Sequence, residues 1–121
     1  MEWVKDRVAL ITGATNEIGR AISLRLVRCG AKVVVSDNDQ SGLKGLITEI
    51  KDNGGEVLGV VADPTKAVDV KKTVDEVLSK FGKVDILVNN VGDSKGQRLA
   101  DLTDDEWNQT FDENINGVFH F

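Results

Sequence analysis

Tyrosine is missing altogether from these 121 residues, and cysteine, methionine, histidine and proline occur once each. A single cysteine excludes an internal disulfide framework and fits a reducing compartment. Neither Cys29 nor His120 has a second residue beside it to form a nucleophile–base dyad, so Cys29 reads as a core residue and His120 as a helix residue. With so few soft ligands no metal site is expected. No apolar run approaches the ~20 residues that cross a bilayer, and Glu2, Lys5 and Asp6 put charge where a signal peptide needs its apolar stretch. Basic residues are in the minority, 15 Lys and Arg against 20 Asp and Glu for a net charge of −5. They are scattered rather than gathered into a patch, which argues against nucleic acid and membrane surfaces as partners. The expectation is an acidic, cytoplasmic protein of one domain, residues 1–121, large enough to bury roughly two thirds of its unfolded surface.

Short apolar runs alternate with helical patterns. Four runs, at 7–12, 32–37, 56–62 and 84–89, are too short and too β-branched for core helices and are bounded by Gly, Asp or Asn. The intervening segments have helical spacing. Ile18, Ala21, Ile22, Leu26 and Cys29 predict a first helix ending at Gly30, and Leu43, Leu46, Ile47 and Ile50 a second ending at Gly54 and Gly55. Val70, Val74, Val77, Leu78 and Phe81 predict a third, with Thr65 as its N-cap and Gly82 at its end. Past the polar loop 92–97, Thr103 and Glu106 have capping-box spacing, and Trp107, Phe111, Asn114, Ile115 and Val118 then share one helical face. That pattern runs to Phe121 without a stop signal, so the chain reads as cut within an element.

Strands apolar on both faces and joined by helices call for a parallel sheet covered on two sides. The fold expected is α/β, a Rossmann-like doubly wound sheet of about four strands in the order 3-2-1-4, truncated. In such a sheet ligands bind above the carboxyl ends of strands 1 and 4, where the winding reverses. TGATNEIG, residues 12–19, follows strand 1 there. It joins a strand to a helix start whose unpaired N–H groups and positive dipole end suit a phosphate.

Five stretches in order, namely TGATNEIG, Asp37, Asp63, Asn89-Asn90-Val91-Gly92 and Asn114-Ile115-Asn116-Gly117, resemble the N-terminal half of a short-chain dehydrogenase/reductase. The resemblance covers nearly the whole chain and departs at Val91, where the family has Ala, and at Glu17, where it has its middle glycine. It implies a nicotinamide cofactor site at Gly13, Thr15, Asn16, Ile18, Gly19, Asp37, Asp63, Asn90 and Gly92, with Asn114 as the family's relay residue. Asp37, 24 positions after Gly13, is where a carboxylate accepts from the hydroxyls of an adenosine ribose and repels a 2′-phosphate. No Lys or Arg lies between Gly13 and Gly19 or directly after Asp37, so NAD is expected over NADP. Asp63, ahead of Pro64, serves equally well as a turn initiator. The Asn pair has a structural use as well, tying the end of strand 4 to the glycine turn.

The family's chemistry depends on a Ser and a Tyr-x-x-x-Lys beyond the point where this sequence stops. Glu17 adds a second departure, since a like charge about 4 Å from a diphosphate costs on the order of 4 kcal/mol at an effective dielectric of about 20, and less if the side chain reaches water. Three readings result. The chain is an NAD(H)-binding half-domain without dehydrogenase activity of its own; or it is a piece of an NAD-dependent alcohol or ketone oxidoreductase completed by a partner or continuation; or it is a self-associating protein that has lost its cofactor. Strand 84–89 would be an apolar edge, and that edge or the 104–121 helix is expected to be covered by another copy. A rival expectation has residues 115–121 leave the helix and pair with strand 4.

Overall fold

The segment Val8–Thr12 is buried at all five positions, a pattern that requires neighbours on both edges and layers on both faces. The computed structural model, which describes residues 2–93 and 96–121, supplies them. Strand β1 (Val8–Thr12) lies between β2 (Lys32–Asp37) and β4 (Ile86–Val88), and β3 (Val57–Val61) lies outside β2. All pairings are parallel and the order is β3-β2-β1-β4. Leu10 stands beside Val34 and Leu87, and Val34 beside Leu58.

Side chains alternate across this sheet, and the two sets form separate cores. Ala9, Ile11, Val33 and Val35 pack with Leu24, Val27, Leu43, Leu46 and Ile50. Those partners come from α1 (Glu17–Arg28) and α2 (Gln40–Asp52). Val8, Leu10, Val34 and Val60 face the other way, onto Val77 of α3 (Ala67–Phe81), with Phe81 and Phe121 against them. The doubly wound fold is therefore as the patterning predicts, and the strand order is the one that architecture usually takes.

Several faces differ from expectation. In α1 the inward residues are Gly19, Ser23, Leu24 and Val27, while Ile18 is 65% exposed and Ala21 is exposed. The helix turns its small residues toward the sheet because its first turn must approach the loop after β1. The N-cap of α3 is Lys66 without a side-chain bond, not Thr65. Thr65 instead gives both its N–H (2.9 Å) and its hydroxyl (2.6 Å) to Asp63 Oδ1. Leu78 of α3 is exposed.

The largest difference lies at the end of the chain. Helix α4 (Asp104–Phe111) has the predicted capping box between Thr103 and Glu106, then passes into a π turn (Asp112–Asn116) and a short α5 (Gly117–His120). Residues 115–121 do not form a strand on β4. The apolar stripe points outward, with Trp107 47%, Phe111 46% and Ile115 57% exposed. The inward positions are Asn114, Gly117, His120 and Phe121. Gly117 is buried against Pro64, where a Cβ would stand 3.3 Å from the proline Cβ, and His120 Nδ1 lies 3.0 Å from Pro64 O. A side lined by glycine and amide can come close to a polar loop, and the bulky stripe cannot.

Strand β4 is shorter than predicted, three residues against six, and its Leu87 is 40% exposed. Asp85 fixes its start. The Asp85 N–H donates to Val8 O (2.9 Å), and the carboxylate accepts from Val8 N–H (2.8 Å), Lys83 (2.9 Å) and Arg7 (3.3 Å). The Val8 N–H, then Lys83, hold this carboxyl well below the usual carboxylate range, at about 2 against 3.8. A carboxyl whose folded pKa is depressed contributes stability above its unfolded pKa and loses it as pH falls through the folded one. The contribution is thus present above about pH 3.8 and disappears between there and about 2. Acid unfolding followed by circular dichroism should show Asp85→Asn less stable at neutral pH, and the gap from wild type closing across that window.

Candidate functional site

The turn after β1 is set by Gly13, whose φ of +58° places it in the left-handed region, and a Cβ there would stand 3.0 Å from Asn90 O. Glycine suits both demands. Asn16 caps α1 by accepting from Gly19 N–H at 2.8 Å. The first intrahelical bond runs from Arg20 N–H to Asn16 O (2.9 Å), so the N–H groups of Glu17 and Ile18 stand ahead of the ladder at the positive end of the helix. Glu17 is the first residue of α1, exposed, and outside the cavity described below. An exposed charge is screened by water, which brings the repulsion expected of it toward that of a surface pair.

The loop after β4 is bound to this turn by two residues. Thr12, buried at the end of β1, donates its hydroxyl to Val88 O (3.3 Å) and accepts from Asn90 N–H (3.0 Å). Asn90 Nδ2 donates to Gly13 O (2.9 Å) and Asn16 Oδ1 (3.1 Å). The structural role read for the Asn pair thus falls on Asn90, and Thr12, the first residue of TGATNEIG, shares it. Asn114 reaches the same loop from the π turn. Its amide donates to Asp93 O (3.0 Å) and Thr110 O (2.9 Å), and a Cβ on Gly92 would stand 2.7 Å from Asn114 Oδ1.

Two carboxylates close β2 and β3. Asp37 Oδ2 accepts from Thr15 N–H (3.1 Å) and Thr15 Oγ1 (2.7 Å), and its Oδ1 accepts from Asp39 N–H (3.1 Å). Asp63 is held as a turn residue by Thr65, by Lys66 at 3.7 Å, and by donation of its own N–H to Asp69 (3.0 Å). The Thr65 hydroxyl, chiefly, keeps the Asp63 carboxyl below its ordinary range.

These elements surround a cavity of about 660 Å³ at the carboxyl ends of the strands, a volume within the range of small-molecule sites. Gly13, Thr15, Asn16, Asp37, Asp63 and Gly92 line it, so six of the predicted site residues meet at one place. Ile18, Gly19, Asn90 and Asn114 are not in the lining. Gly19 and Asn90 act from behind it, Asn114 through Asp93, and Ile18 points into solvent. Asp105, Asn108 and Gln109 of α4 form a wall that sequence reading does not anticipate. Periodicity identifies an apolar face, and this wall is the polar face of the same helix. Among the described residues the lining carries six carboxylates, on Asp37, Asp63, Asp93, Asp105, Asp112 and Glu113, and no Lys or Arg. Among the described residues no three His, Cys, Asp or Glu are grouped to hold a metal ion. No helix among them is long and apolar enough to cross a membrane.

A glycine turn of positive φ under a helix N-terminus, with the Asp37 carboxylate bonded beside it at the end of β2, fits a dinucleotide. Comparison with known proteins agrees. The family model for short chain dehydrogenase matches residues 7–121. The chain is 38% identical over 116 residues to a 3-oxoacyl-[acyl-carrier-protein] reductase of Staphylococcus epidermidis, a match covering 95% of this chain and 48% of that protein. It is similar in structure to the 3-ketoacyl-(acyl-carrier-protein) reductase from Brucella melitensis complexed with NADH, at TM-score 0.88 and 39% identity over 97% of this chain and 48% of the other. A variant of actinorhodin polyketide ketoreductase with NADPH gives TM-score 0.92 and 35% identity over 99% and 46%. The chain spans about half the length of the curated relatives it matches.

Proposed function

This chain belongs to the short-chain dehydrogenase family, and from that premise we propose that it is the family's nicotinamide-dinucleotide-binding half, without dehydrogenase activity of its own. The observation that carries the reading is the meeting of Gly13, Asp37, Asp63 and Gly92 around one cavity under the start of α1. The N–H groups of the first turn of α1 would hold a diphosphate at the glycine turn. Asp37 would hold the adenosine ribose, and Asp63 the adenine side. Asp37, with no Lys or Arg between Gly13 and Gly19 or directly after Asp37 in the sequence, favours NAD over NADP. Such a cofactor, when bound, accepts or delivers hydride at its nicotinamide ring. The chain's own residues orient it and exclude water, but with no tyrosine in the sequence the family's acid–base group for the substrate oxygen is absent. Asn114 is here a positioning residue, since its amide is spent on Asp93 and Thr110. Turnover of an alcohol or ketone requires a partner or continuation bearing the Ser and Tyr-x-x-x-Lys. The lone cysteine favours a cytoplasmic setting.

Calorimetric titration of NAD into the chain tests this. Binding with no oxidation of alcohols is the expected result, and no heat at millimolar NAD overturns it. Because Glu17 lies outside the cavity, Glu17→Gly should tighten NAD by less than about tenfold, the scale of a screened charge.

A second reading, self-association, is favoured by the exposed apolar groups Val84 and Leu87 beside the open edge of β4 and Trp107 and Phe111 on α4. Here the edge of 84–89 or the 104–121 helix packs on a second copy, without nucleic acid or membrane. Sedimentation velocity should give a dimer that Leu87→Lys or Phe111→Glu dissociates; a wild-type monomer at high micromolar concentration sinks the idea.

A further inference from the structure

We propose that Thr15 is the residue that determines which nucleotide the site takes, by fixing the carboxylate of Asp37. The inference rests on the dinucleotide reading above and goes beyond it. A carboxylate at the end of β2 discriminates against a 2′-phosphate only while it stays in place, because an aspartate free to rotate can turn its charge into solvent and admit the phosphate. In this chain Asp37 is not free. One of its oxygens takes both the N–H and the hydroxyl of Thr15, and the other takes the N–H of Asp39. Oδ1, which takes only the Asp39 N–H, keeps a further lone pair for a ribose hydroxyl.

Thr15 is itself held from behind by α2. A Cβ at Gly42 would stand 3.0 Å from Thr15 Cβ and would run into the Asp39 carboxylate. Asp39 in turn caps α2 by accepting from Gly42 N–H (3.0 Å). The hydroxyl of Thr15 is therefore aimed at Asp37 by packing as well as by hydrogen bonding. Thr15, Asp37 and Asn38 all line the cavity, so the clamp sits where the ribose would lie. The glycine loop and the ribose-reading carboxylate form one unit, and specificity is distributed over both.

The test is calorimetric titration of NAD and NADP into the full chain and three variants. Wild type should take NAD at least about thirtyfold more tightly, the scale set by a fixed like charge near the phosphate. Thr15→Val, which keeps the side-chain shape and removes the hydroxyl, should narrow that ratio about tenfold, the worth of one hydrogen bond to a charged group. Gly42→Ala should move the ratio the same way by displacing Thr15, and Thr15→Ser should restore it. A purely structural role would weaken both nucleotides together. An unchanged ratio in Thr15→Val and Gly42→Ala, with NAD still bound by wild type, overturns the role of Thr15 and leaves the dinucleotide reading standing. Failure of wild type to bind either nucleotide overturns both.

Discussion

Gly19→Ala is expected to destabilise the chain by about 3 kcal/mol, lowering the melting temperature by roughly 10 °C, and to abolish nucleotide binding. Alanine is the better helix former, and on propensity alone the change should help by about 1 kcal/mol. The surroundings decide otherwise. A Cβ at position 19 would run into Gly13 O and stand 2.8 Å from both Ala14 Cα and Asn90 Nδ2. The first two are backbone, and the third is pinned by its bonds to Gly13 O and Asn16 Oδ1. None is the free end of a flexible side chain that could swing aside. Relief requires α1 to lift away from the turn, which breaks the Asn16 cap and the Asn90 tie together. Thermal unfolding by circular dichroism measures the loss. Gly45→Ala is the control, because no atom lies within 4 Å of a Cβ there, and it should be neutral or slightly stabilising.

The contrast between Gly19 and Ile18 shows where the sequence was legible. Spacing alone locates the strand, the turn and the helix, because burial on both faces of β1 leaves no room for polar residues and the glycines mark where the chain bends. The order of strands is the one a doubly wound architecture usually takes. Spacing fails to say which side of α1 faces in: the apolar stripe begins at Ile18, yet the helix presents Gly19 and Ser23. The choice is made by the distance of closest approach at the turn, a tertiary quantity. At the other end of the chain the same failure is larger, since Trp107 and Phe111 face outward while Asn114, Gly117 and Phe121 face in. The π turn at Asp112–Asn116 adds a residue to the helix and alters its phase, and a search at fixed period does not register that. The site divides in the same way. Gly13, Asp37, Asp63 and Gly92 carry local signatures and line one cavity, whereas the α4 wall of that cavity depends on how that helix docks.

Thr12→Val is expected to cost about 2 kcal/mol and, unlike the glycine change, to leave α1 in place while loosening the far wall of the cavity. The two side chains have almost the same shape, so packing in the buried end of β1 is kept. What is lost is a hydroxyl that serves both neighbours of the β4 exit, donating to Val88 O and accepting from Asn90 N–H. Thr12 is 2% exposed, so water cannot readily replace it, and the burial of an unsatisfied N–H carries most of the cost. Because β4 is three residues long and, among the described residues, pairs with β1 alone, its exit depends on this hydroxyl and on Asn90 more than a longer strand would. Hydrogen exchange should therefore be selective: amides of residues 88–92 should lose protection in Thr12→Val, while those of β2 and β3 keep theirs. Uniform loss across the sheet would mean that the hydroxyl supports the core rather than the loop. Thr12→Ser, which retains the hydroxyl and sacrifices only a methyl group, should recover protection at 88–92 even where its global stability falls short of wild type.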